Sequence, residues 1–129
     1  MNEQFRFLTV EEILYIHDNQ IEIYGGSSGV RSLDLLSSAV NHVMAEYENH
    51  KLYNTALEIA SAYIFHICQN HCFIDGDKRT ALASGLVFLD LNGISISNKN
   101  NILYTMMINI TEGKIQKSDI QKILSELSE

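Results

Sequence analysis

Between His71 and Thr80 the chain sets a histidine, two carboxylates, a glycine and two cations side by side, in the order His71-Cys72-Phe73-Ile74-Asp75-Gly76-Asp77-Lys78-Arg79-Thr80. These are residue types that handle phosphate. A histidine can take a proton near neutral pH, and an aspartate can hold a hard divalent cation. Backbone N–H groups around a glycine at a helix start can cradle an anion, and Lys78 and Arg79 stand beside it to balance the charge. No other segment concentrates so much chemistry.

The elements that must position these groups read as helices. Thr9 and Glu12 form a capping box ahead of a helix from Val10 to about Ile23, stopped by Gly25-Gly26. Ser32 caps a second helix from Leu33 to about Tyr47, with Leu36, Ala39, Val40, Val43 and Tyr47 on one side. Thr55 and Glu58 repeat the capping box ahead of Ala56 to about Gln69, a segment apolar nearly all round and therefore central. After the charged turn, Thr80 to about Leu91 keeps helical spacing and Asn92-Gly93 closes it. Ile94 to Ser97 alternates as a short extended piece, Ile102 to Ile110 is a further helix ended by Gly113, and Ser118 with Gln121 caps a last helix to about Leu127. With no proline to break these runs, the expected fold class is all-α, a compact six-helix bundle forming a single domain over residues 1–129. Asp75 or Gly76 then falls at a helix N-terminus, where unpaired N–H groups and the dipole favour negative charge.

Composition narrows the function. A formal net charge of −7 argues against broad neutralisation of a nucleic-acid backbone, so no direct nucleic-acid binding is expected. Met1-Asn2-Glu3-Gln4 has no signal-peptide character and no apolar run reaches bilayer length, which predicts a cytoplasmic protein without membrane contact. Cys68 and Cys72, four apart on a helix, are badly placed for a disulfide. His66, Cys68, His71 and Cys72 carry metal-ligand atoms but match no common zinc spacing, so core cysteines and a packed histidine are the simpler reading. The Gly25 to Gly29 loop lacks a following Gly-Lys-Ser or Gly-Lys-Thr and reads as a helix connection. His17 is either a surface or capping histidine or a neighbour of the cleft. Arg31 either shapes the glycine loop or binds a helix C-terminus. Glu11, Glu12, Glu46 and Glu48 read as a solvated acidic face.

The motif resembles the signature of the Fic/Doc superfamily, and Lys78-Arg79-Thr80-Ala81-Leu82 resembles its death-on-curing (Doc) branch. Phe7-Leu8-Thr9-Val10-Glu11-Glu12, His17-Asp18, Tyr24-Gly25-Gly26, Gly29-Val30-Arg31 and Val87-Phe88-Leu89-Asp90-Leu91-Asn92-Gly93 are similar to that branch as well. The resemblance implies a toxin of a type II toxin–antitoxin pair, a kinase-type phosphotransferase that moves a phosphoryl group from ATP to a threonine of elongation factor Tu and blocks translation. It implies Mg²⁺ on Asp75, catalytic roles for His71, Lys78 and Arg79, and donor binding by Phe73, Gly76, Asp77, Lys78 and Arg79. It implies a cognate antitoxin whose amphipathic segment folds into a groove between helices. Lys78, where the Fic branch has glycine, favours phosphoryl transfer, with nucleotidyl (AMP) transfer to a protein hydroxyl as the alternative. Asp77 stands where the family has asparagine, which leaves three readings: a second metal ligand, a protonated donor, or weakened catalysis with binding retained.

Overall fold

Helix α3, Ala56–Asn70, is the axis of the computed structural model, which describes residues 5–50, 55–98 and 101–129. Its apolar residues point in every direction, and Ile59, Ala60, Ala62, Tyr63, Ile64 and Ile67 have no exposed surface. Each large side chain so buried contributes about 1.5–3 kcal/mol, so α3 holds the bundle together. Around it stand α1 (Val10–Tyr24), α2 (Leu33–Ala45), α4 (Asp77–Leu91), α5 (Ile102–Thr111) and α6 (Lys117–Leu127). Helices α2, α4, α5 and α6 all pack on α3, while α1 packs chiefly on α4. The result is the all-α six-helix bundle that the periodicity predicts.

The α3–α4 pairing is the most extensive among the described helices. A Cβ built on Gly85 would lie 2.5 Å from Ile64 Cγ1, so only glycine lets the two backbones approach. That approach fixes both helix ends that border the charged turn. The capping boxes of α1 and α3 form as expected, with Glu12 N donating to Thr9 Oγ1 and Glu58 N to Thr55 Oγ1, both at 3.2 Å. Ahead of α1, the N–H of Leu8 donates to Tyr63 Oη at 3.0 Å, and burial pushes that phenol up to about 12.

Three boundaries differ from the periodicity. Helix α4 starts at Asp77 rather than Thr80, because Gly76 adopts a left-handed conformation (φ 83°) and serves as its N-cap. Helix α6 is capped by Gln116 with Asp119, not by Ser118 with Gln121. Helix α2 ends at Ala45 and continues as a π-helical turn over Glu46–His50. The expected extended piece survives as an isolated bridge between Ile96 and Ser128. Among the described residues no helix is long and apolar enough to cross a membrane.

Candidate active site

His71 ends α3 in the left-handed region, φ 50° and ψ 56°. A residue with a Cβ pays about 1–2 kcal/mol to sit there, and the neighbouring bonds show what offsets it. Arg31 Nε donates to the His71 carbonyl at 2.7 Å, and its Nη2 to that of Asn70 at 3.4 Å. The N–H groups of Arg31 and Ser32 both donate to the Cys72 carbonyl, at 2.8 and 3.0 Å. Ile74 N donates to Gly29 O at 3.2 Å, and Val30 and Phe73 form an isolated antiparallel bridge. The α1–α2 loop is therefore a clasp on the motif, and Arg31 binds a helix C-terminus that belongs to His71 itself.

A second clamp comes from α1. His17 is 1% exposed, its Nε2–H donates to the Asp75 carbonyl at 2.8 Å, and its ring lies on Phe73 with centroids 3.9 Å apart. It is neither a surface nor a capping histidine. Phe73, 1% exposed, supports the turn from beneath and does not line the cleft above it. Neither Cys68 nor Cys72 is paired, and both are buried. Burial pushes the Cys72 thiol up to about 11, away from nucleophilic use at neutral pH.

The groups capable of chemistry face an open cleft of about 350 Å³, lined by His71, Asp75, Gly76, Asp77, Lys78 and Arg79 along with Cys68, Ile74 and Thr111. Asp75 Oδ2 accepts from the N–H of Ser27 at 3.0 Å; that bond and the Gly76 N–H hold its carboxyl below the ordinary range, so it is a carboxylate at neutral pH. Space around it is tight, since a Cβ on Gly26 would lie 2.6 Å from that oxygen. Gly76 offers α4 no side-chain cap, which leaves the first N–H groups of the helix, at the border of the cleft, without a side-chain acceptor. Arg79 Nη2 donates to Gly25 O at 3.0 Å and its guanidinium lies over the Tyr24 ring at 5.9 Å, while Lys78 is exposed.

Asp77 is the first residue of α4, and its two oxygens divide their work. Oδ1 accepts from the N–H of Phe73 at 3.0 Å, and Oδ2 lies 3.8 Å from His71 Nδ1. The first contact needs only an acceptor, which an amide oxygen supplies equally. The shape of the turn therefore does not depend on the charge at this position.

The pattern of the Fic/DOC family matches residues 7–89, a span that begins ahead of α1 and covers the glycine loop, the motif and most of α4. The chain belongs to the Fic/DOC family. Among its relatives is the protein named Protein kinase doc of Escherichia phage P1, 28% identical over 122 residues that make up 95% of each chain. Another is Toxin Doc of Mycolicibacterium smegmatis, 34% identical over 74 residues, 57% of each chain. The family match covers every clamp on the motif: His17, the Gly25–Arg31 loop and Arg79. Sequence reasoning leaves His17 open between the surface and the cleft, and Arg31 between the glycine loop and a helix C-terminus, because each acts on a backbone carbonyl far along the chain, which carries no residue signal.

Proposed function

We propose that this protein transfers the γ-phosphoryl group of ATP to a threonine hydroxyl of elongation factor Tu, as a Doc-like toxin that arrests translation. The observation that carries the reading is the convergence of His71, Asp75 and Lys78 on one cleft at an uncapped helix N-terminus. Anionic Asp75 suits Mg²⁺, and the open N–H groups with Lys78 and Arg79 suit a polyphosphate, so the residues present fit both cofactors. Bound there, Mg²⁺-ATP would supply the phosphoryl group and a leaving ADP.

The chain's own groups have distinct tasks. His71, two-thirds exposed on its side chain, takes the proton from the acceptor hydroxyl as the new P–O bond forms. The N–H groups of α4 and the Lys78 ammonium stabilise charge on the transferring oxygens. Arg79, anchored to Gly25, fixes the cleft wall on the α1 side. Asp75 stays in place through Ser27 and His17, the first holding its carboxylate and the second its carbonyl.

A cognate antitoxin would act as inhibitor. An apolar groove of about 500 Å³ between α1 and α4, lined by Leu8, Tyr15, Ile16, Ala83, Val87 and Leu91 among others, suits an amphipathic helix. Incubating the protein with ATP, Mg²⁺ and elongation factor Tu, and reading the acceptor's mass, tests the proposal. A phosphate-sized gain that His71→Ala abolishes is expected. A nucleotide-sized gain would replace phosphoryl transfer by AMP transfer, and no gain would leave the acceptor wrong or the site silent.

A further inference from the structure

Three side chains that the phosphate cleft does not use converge where α2, α3 and α6 meet. His42 and Glu46 project from successive turns at the end of α2, and His66 faces them from α3. Glu46 Oε2 lies 3.5 Å from His42 Nε2, and Oε1 lies 3.5 Å from His66 Nε2. One donor atom from each residue falls within 4.8 Å of the other two. The imidazole rings are stacked, with centroids 4.1 Å apart and planes 27° from parallel.

These spacings have a chemical meaning. A tetrahedral ion with bonds of about 2.0–2.2 Å holds its ligand atoms roughly 3.3–3.6 Å apart. Both carboxylate-to-imidazole separations lie in that range, one to each oxygen of Glu46, and binding an ion would draw together the two imidazole nitrogens, which lie within 4.8 Å of each other. A cation already occupies the position. Lys117, the first residue of α6, places Nζ 3.3 Å from Glu46 Oε1 and 3.3 Å from His66 Nε2. An ammonium on that lone pair is possible only with His66 neutral, the form that binds metals. The Lys117 side chain is 31% exposed and that of His42 51%, so an ion has a route in and the ammonium a route out.

We propose that His42, Glu46 and His66 form a binding site for a divalent transition ion of the zinc class, with Lys117 as its built-in competitor. Two imidazole nitrogens and one carboxylate select zinc, cobalt or nickel over the oxygen-preferring magnesium that suits Asp75. Glu46 also opens the π-helical turn, a local widening that recurs at functional positions in helices. A bound ion would cross-link the end of α2 to α3 in place of the Lys117 ammonium from α6. The motif cysteines play no part: Cys68 and Cys72 are buried, and His71 faces the phosphate cleft.

The test is titration of the chelator-treated full chain with Zn²⁺, followed by calorimetry, and with Co²⁺, followed by visible absorption. One ion per chain is expected, with Co²⁺ bands of a nitrogen–oxygen site and no intense thiolate bands. His42→Ala, on a side chain that is 51% exposed, and His66→Ala should each weaken binding by at least about tenfold. Lys117→Met should tighten it about tenfold, since it removes a unit charge from the site, and His71→Ala should leave it unchanged. Thiolate bands, indifference to both histidine variants, or no saturation below about 1 mM would overturn the proposal.

Discussion

The ring of His17 lies 8° from parallel to that of Phe73 while its Nε2–H donates to the carbonyl of Asp75, so a single α1 side chain supports both faces of the motif turn. Replacing it with leucine keeps apolar bulk but leaves the Asp75 carbonyl without its donor. His17→Leu should lose about 1–3 kcal/mol of stability, read as a lower urea midpoint. Phosphoryl transfer should fall further than stability alone explains, because the main chain that carries Asp75, the proposed Mg²⁺ ligand, loses its α1 anchor while Ser27 still holds the carboxylate.

Asp77 separates shape from charge. Asp77→Asn retains an acceptor for the Phe73 N–H and removes a negative charge next to His71. Its melting temperature should stay close to that of the parent chain while the transfer rate rises, measured by phosphate incorporation into elongation factor Tu. Asp77→Ala loses the acceptor as well and should cost about 1–2 kcal/mol.

Two glycines are irreplaceable for different reasons. At Gly26, φ is 118° and a Cβ would meet Asp75 Oδ2, so Gly26→Ala should displace the carboxylate and weaken Mg²⁺-dependent transfer. At Gly85 a Cβ would collide with Ile64, so Gly85→Ala should cost about 1–3 kcal/mol by overpacking. Thermal unfolding and activity together separate the two, with the first variant losing activity more than stability and the second the reverse.

Acid should weaken the start of the fold. The Arg6 guanidinium, with the Thr9 N–H, holds the Glu12 carboxyl down to about 2 from an ordinary 4.5. A carboxyl whose folded pKa is lowered contributes stability above the ordinary value, and that stability is lost as pH falls through 4.5 toward 2. The Glu12 side chain is 34% exposed, so the pair is worth no more than about 1 kcal/mol. Urea midpoints of Glu12→Gln and the parent chain should converge as the pH drops through this window.

Local rules explain what the sequence made legible. The boxes of Thr9 with Glu12 and Thr55 with Glu58 act within one turn, and the apolar runs that make α3 central need no partner to be recognised. The α4 start was misplaced because a left-handed Gly76 can cap a helix without any side-chain signal. Of the expected acidic face, Glu12 bonds Arg6 and Thr9, and Glu46 turns inward to His42, His66 and Lys117. Glu12's bond to Thr9 is the local capping box, while its pairing with Arg6 and the inward turn of Glu46 depend on contacts that only folding creates. Within the motif, residue types indicate the phosphate chemistry, whereas the choice between the two readings of His17 and of Arg31, and the Val30–Phe73 bridge, emerge only when α1 and its following loop close over the turn.

Arg31, His17, Ser32 and Arg79 all grip the site through main-chain carbonyls, those of His71, Asp75, Cys72 and Gly25. Every residue offers the same carbonyl, whatever its side chain. The side chains at positions 71 and 78 can therefore change without touching these carbonyl anchors, whereas Asp75, Asp77 and Arg79 carry structural bonds of their own and tie the chemistry of the turn to its shape.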